Sequence, residues 1–222
     1  MPIDTHHNLD ISVNKLEQRG VLHCEIQPID WPFPLVCLCA HLNLREPDRM
    51  RQYQAIFEYI TNHVNPLSPL IIAGDFNDWR HKSCLNLGQA LDLSEVFAGN
   101  GNKRPKTFPS RLPLLSLDRI YTRNLTVLDA QVHKEKQWQQ LSDHLPLSAI
   151  VVPNLSQSLL SGSLNNCYIP PTINTIKTHT TTMDYLKKMP FTIVSIDQKG
   201  HDYADSSQDL IAYITRHPMA LP

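Results

Sequence analysis

The chain has 222 residues, 41% of them apolar, with 20 Lys and Arg against 21 Asp and Glu for a formal net charge of −1. That length suits one domain, or one domain with an appendage, and the apolar fraction supports a real core. The neutral balance excludes a bulk basic field for wrapping nucleic acid, leaving only a local basic groove, and no stretch is long and apolar enough to span a membrane.

Five cysteines (Cys24, Cys37, Cys39, Cys84 and Cys167) are odd in number and scattered. Cys37 and Cys39 fall in an apolar segment and read as buried thiols of a reducing compartment, so a cytoplasmic protein is expected. The first residues carry no basic region followed by an apolar run, so no signal peptide is expected. His6 and His7 read as solvated side chains rather than metal ligands.

In chain order, residues 1–19 are polar and weakly periodic. Residues 21–29 alternate and predict a strand. After Trp31-Pro32-Phe33-Pro34, residues 35–42 are nearly all apolar and predict a strand buried on both faces, ending in His41-Leu42-Asn43. Pro47 suits a first helical turn, and Met50, Tyr53, Ile56, Ile60 and Val64 follow at helical spacing. Arg49 and Gln52 lie near the start of that helix, and Pro66 and Pro69 end it. Residues 70–73 predict a buried strand running into Gly74-Asp75-Phe76-Asn77-Asp78-Trp79-Arg80. A strand, helix, strand order with apolar strands predicts a layered α/β sheet. Residues 85–93 predict a short helix. Residues 99–106 predict a loop, the most basic stretch of the chain, read either as solvated or as a contact for a phosphate-bearing substrate. Residues 114–121, 125–132 and 148–152 predict three more strands, the first with Asp118 inside it.

Several polar residues then fall near strand ends. Asp75 and Asn77 lie two apart, which on an extended backbone gives one face. A carboxylate there can orient or deprotonate water and an amide can hold a phosphoryl oxygen, although an Asx-capped turn would use the same residues. His41 reads equally as a site residue or as a satisfied core histidine. Asp143 and His144 are adjacent just before a strand. A second carboxylate, Asp118, could hold the imidazole, which is the orienter and base pairing used in hydrolysis, with Asp143 left to ligate a divalent ion. Oxygen ligands with retained waters suit Mg²⁺ better than zinc. The alternative is a loop cap beside a surface histidine.

The ordered set resembles the endonuclease/exonuclease/phosphatase superfamily. It comprises His41-Leu42 with Arg49 and Gln52, Gly74-Asp75-Phe76-Asn77, Thr107-Phe108-Pro109, Leu117-Asp118-Arg119-Ile120, and Ser142-Asp143-His144-Leu145-Pro146-Leu147. The strings RGVL, HLNLRE and GDFNDWR look most like its YbhP-like bacterial branch, over roughly residues 1–152. The resemblance implies part of a four-layer α/β/β/α sandwich. It implies His144 at the phosphoryl centre, Asp118 holding its ring, Asp75 orienting or activating water, Asn77 holding phosphate, His41 stabilising transition-state charge or supporting the site, and Asp143 on the metal side. The implied chemistry is hydrolysis of a phosphoester with Mg²⁺ (or Mn²⁺). The substrate could be a nucleic acid, a phospholipid head group or a small phosphodiester.

Family members begin with a strand bearing Asn and a metal-binding Glu. Neither motif precedes residue 20, and Glu17 sits in the wrong context. The chain is therefore expected to lack the N-terminal part of the fold, through a truncated gene, a misassigned start, or a half supplied by another chain. An incomplete metal site and exposed apolar surface would follow. The alternative to an enzyme is a non-catalytic remnant that binds a phosphate or a partner. Residues 153–182, rich in Ser, Thr, Asn and Pro, predict a linker. Residues 183–222 predict a small appendage with a strand at 191–196, a turn at Gly200, a capping box from Ser206 to Asp209, and a short helix on Leu210, Ile211, Tyr213 and Ile214. Oligomeric state is not legible.

Overall fold

The computed structural model describes residues 3–15, 17–29, 31–98, 104–154, 191–195 and 212–216. Its strands are β1 (Thr5–Asp10), β2 (Gly20–Ile26), β3 (Leu35–His41), β4 (Leu70–Asp75), β5 (Ser94–Glu95), β6 (Asp118–Arg123), β7 (Leu125–Val132), β8 (Leu147–Pro153), β9 (Phe191–Ser195) and β10 (Ala212–Arg216), with helices α1 (Glu46–His63) and α2 (Lys136–Leu141). One sheet has six strands in the order β1-β2-β3-β4-β6-β5, and the other has four in the order β10-β9-β8-β7. Strands β3 and β4 are parallel and are bridged by α1, and every other pairing is antiparallel.

The period of two in β3 and β4 builds the layers. Val36, Leu38, Ala40, Leu70 and Ile72 pack with Tyr53, Ile56, Tyr59 and Ile60 of α1 in one cluster. Leu35, Cys37, Ile71 and Ala73 turn the other way, into a cluster with Leu147, Ala149 and Val151 of β8. The six-stranded sheet is thus sandwiched between α1 and the second sheet, which explains why β3 and β4 read as continuous apolar runs. Helix α2 has no buried residue, so among the described residues three layers are built.

The α/β layering and the strands over residues 35–42, 70–73, 125–132 and 148–152 agree with expectation, as do the free, buried thiols of Cys37 and Cys39. Other expectations are corrected. The polar N-terminal segment contains β1, an edge strand exposed along nearly its whole length, held by its backbone ladder to β2. His7 is exposed as expected, and its Nε2 also meets the Tyr59 hydroxyl while its ring stacks on His23 at 4.7 Å. Met50 is 38% exposed, while Arg49 and Gln52 are buried on the inner face of α1. The helix expected over residues 85–93 is a five-residue π-turn, Cys84–Gly88. Asp118 opens β6 rather than lying inside a strand. Of the segment expected to be a helix, Tyr213 and Ile214 lie instead in strand β10, paired with β9, while Leu210 and Ile211 lie outside the described residues. Strand β9 pairs with β8, so this part of the tail extends the second sheet. The expected turn at Gly200 and capping box from Ser206 lie outside the described residues, as does most of the linker.

Candidate active site

The site begins with register. His41 at the end of β3 is the cross-strand partner of Asp75 at the end of β4, and Asp75 is the partner of Asp118 at the start of β6. Three polar residues therefore form a row across one end of the sheet. Each is in phase with residues that face the second sheet, such as Cys37, Ala73 and Ile120. The turn before β8 brings His144 to the same row.

Gly74 lets β4 approach β3. Its φ is +137°, and a Cβ there would lie 2.0 Å from the Ala40 carbonyl oxygen, a conformation and contact reserved for glycine. Beyond it the chain turns sharply, with Asn77 at φ 48°. The Asn77 backbone N–H donates to Asp75 Oδ1 at 2.7 Å, so the Asx turn exists and itself fixes the carboxylate. The Asn77 side-chain Nδ2 donates to the Leu42 carbonyl at 2.9 Å, tying the ends of β3 and β4 together.

Asp75 Oδ2 then faces two imidazoles, with His41 Nε2 at 3.5 Å and His144 Nε2 at 4.0 Å. His144 Nδ1 lies 2.8 Å from Asp118 Oδ2. A carboxylate only accepts, so Nδ1 carries a proton, and in the neutral imidazole Nε2 then presents its lone pair toward Asp75. The side chains of Asp75 and His144 are 4% and 8% exposed against 31% for His41, so the open approach to the row lies on the His41 side. Burial, with Arg19 and His144 nearby, pushes His41 down to about 4 against the opposing pull of Asp118. His41 is neutral at pH 7 and acts there as a hydrogen-bonding group, not a cation.

A supporting shell holds these groups. The Phe108 ring lies 4.9 Å from that of His144. Ser142 Oγ accepts the His144 backbone N–H at 3.1 Å, and Ser110 Oγ donates to the Ser142 carbonyl at 2.8 Å. On the other side, Gln52 Nε2 donates to Asn43 Oδ1 at 3.1 Å and to the Ile11 carbonyl at 3.2 Å. Arg49 Nη1 donates to the Asn43 carbonyl at 3.0 Å. Arg49 and Gln52 thus set the loop that follows His41. Sequence reasoning gave Ser110 and Ser142 no role, although Ser142 opens the motif that contains His144; the only signal was their nearness to Phe108 and His144.

Two expectations find no assembled counterpart. Among the described residues no group of three or more His, Cys, Asp or Glu side chains converges to hold an ion. Asp143 is half-buried, and its backbone carbonyl accepts the Ser110 N–H at 2.6 Å, but no ligand set gathers round its carboxylate. In the basic loop, Arg104 Nε is 2.7 Å from Glu95 Oε2, and the other oxygen of Glu95 faces Arg119, so Arg104 already has a partner. Residues 99–103 lie outside the described residues.

The profile of the endonuclease/exonuclease/phosphatase family matches residues 4–144. The chain belongs to that family. The uncharacterized protein YbhP of Escherichia coli (strain K12) is 40% identical over 148 residues, covering 67% of this chain and 58% of that protein. The chain therefore spans less than two thirds of that relative's length. Among solved structures, an endonuclease/exonuclease/phosphatase from Bacteroides vulgatus superposes with a TM-score of 0.59 at 14% identity, covering 68% of this chain and 66% of that one. A mannosyl-6-phosphatase from Bacteroides thetaiotaomicron gives 0.54 at 17% identity over 68% and 67%. At such identities these likenesses show the fold. Family members are phosphoesterases that generally use divalent metals. The described residues of this endonuclease/exonuclease/phosphatase chain do not by themselves complete such an ion site.

Proposed function

We propose that this chain carries the hydrolytic half-site of a phosphoesterase, with His144, Asp118 and Asp75 handling the attacking water. The observation that supports this reading is the line Asp118 Oδ2, His144 Nδ1 at 2.8 Å, then His144 Nε2 facing Asp75 Oδ2 across 4.0 Å. A gap of that size is spanned by one water bonded to both groups. Nε2 takes a proton as the water oxygen attacks phosphorus, Asp118 steadies the imidazolium, and the same proton is returned to the leaving alkoxide. Asp75 orients the water. Asn77 spends one amide hydrogen on Leu42 and offers the other to a phosphoryl oxygen, and neutral His41 donates to the charge that builds there.

Mg²⁺ dependence, with Asp143 as a ligand, is the finer expectation carried by the family resemblance. The described residues do not assemble a site for that ion. The substrate is a phosphoester, with nucleic acid, lipid head group and small diester as its candidate classes. The test is hydrolysis of bis-p-nitrophenyl phosphate by purified protein, with and without Mg²⁺, beside His144→Ala. Turnover that needs His144 supports the reading. No turnover above the variant, in protein shown to be folded by circular dichroism, replaces it with a phosphate-binding or partner-binding role.

A further inference from the structure

Beside His144 the chain builds a short loop whose apolar residues face water. Phe108 and Leu115 pair across its base, and the Leu114 and Leu115 N–H groups both donate to the Phe108 carbonyl at 2.8 Å. The loop is fastened to the turn after α2 by Ser110, whose Oγ donates to the Ser142 carbonyl and whose N–H donates to the Asp143 carbonyl. Within this pinned frame Leu112 is 66% exposed, Leu114 57% and Leu115 40%, and Leu141 at the end of α2 is also 66% exposed. Four of the ten large apolar side chains exposed among the described residues thus gather in two segments that touch each other. Single exposed leucines need no explanation, whereas a fastened group of them marks an interaction site.

Charge selects the occupant. Lys106 and Arg111 are exposed in the loop, and Lys134 and Lys136 are exposed at the start of the α2 segment. The acids in these segments are Glu135 and the half-buried Asp143. Exposed apolar side chains in segments that also carry exposed long cationic ones suit the boundary between lipid headgroups and acyl chains, where leucines enter and cations meet phosphates. The frame also reaches the chemistry, since the Phe108 ring at the base of the loop lies against His144.

We infer that the Leu112, Leu114 and Leu141 cluster docks this protein on an anionic lipid surface, setting the His144 row at the depth of the headgroup phosphates. The substrate class is then a phosphoester presented by a membrane, which rests on the reading of the row as a phosphoesterase site. Docking itself does not require turnover.

The test is co-sedimentation of the full chain with phosphatidylcholine vesicles, with and without phosphatidylglycerol, comparing L112N/L114N and Arg111→Gln. The expected result is binding to the anionic vesicles that weakens with salt and with Arg111→Gln. In L112N/L114N the loss is about tenfold or more, as befits two leucines withdrawn from an apolar phase. Circular dichroism and hydrolysis of the soluble bis-p-nitrophenyl phosphate are unchanged in these variants. The inference is overturned by absence of binding to either vesicle, or by equal binding of wild type and L112N/L114N. It is also overturned by a dimer in analytical ultracentrifugation that L112N/L114N dissociates, which would assign the leucines to a second copy. Vesicle binding without hydrolysis of any phosphoester would leave docking standing and defeat only the phosphoesterase reading.

Discussion

His144 shows how much one side chain depends on its two neighbours. Asp118 fixes its tautomer through Nδ1, and the backbone turn at Ser142 fixes its position. His144→Ala is expected to lower turnover roughly 10²- to 10⁴-fold, the usual worth of a positioned acid–base group. Asp118→Asn offers a donor or a misplaced acceptor to Nδ1, and a loss of similar order is expected with the fold intact, to be read as kcat on a soluble diester beside an unchanged circular dichroism spectrum. His41 carries a separate consequence. Its proton affinity is lower in the folded chain than the ordinary 6.5, at about 4. Between those values the unfolded chain binds a proton that the folded chain refuses. Stability from this group is therefore complete above about pH 6.5 and is lost as pH falls toward 4, by at most about 3 kcal/mol. Urea unfolding at pH 7 and pH 4.5 should show His41→Gln with a smaller acid loss than wild type. A residual loss is expected, because burial also lowers His23 and His81.

At the scale of elements, the parallel pair β3 and β4 positions His41 beside Asp75, and Gly74 permits that pairing. Gly74→Ala places a Cβ against the Ala40 carbonyl at 2.0 Å and asks alanine to hold φ +137°. A destabilisation of about 3 kcal/mol or more is expected, seen as a drop in the urea midpoint with activity falling in parallel. The buried strands β3 and β4 were legible because they are apolar on both faces, and α1 because Tyr53, Ile56 and Ile60 repeat at helical spacing. Elements whose signal is weak were not. Strand β1 is exposed along most of its length, so its ladder to β2 leaves no apolar alternation to read. The apolar residues from Leu210 to Ile214 suit a helical face and a strand about equally, and for Tyr213 and Ile214 pairing with β9 decides for the strand. Met50 matched the apolar spacing of α1 but lies outside, while Arg49 and Gln52 are inside because the loop after His41 needs their hydrogen bonds.

For the whole molecule, β9 covers an edge of β8 that would otherwise offer unpaired N–H and C=O groups. A chain ending at residue 154 is expected to keep the His144 row but to aggregate, since an apolar strand with an open edge templates intermolecular pairing. Static light scattering of the shortened chain against the full one checks this. The ordered motifs by themselves determined the family, the α/β class and most residues of the candidate site, because those signals are local: residue type, short spacing, apolar runs. Only the tertiary structure decided which of those residues meet. Cross-strand register sets His41, Asp75 and Asp118 side by side from segments far apart in the chain. The turn before β8 delivers His144 to them while leaving Asp143 outside any ligand cluster. Burial, a property of the folded surroundings and not of the residue, lowers the proton affinity of His41 from the ordinary 6.5 to about 4.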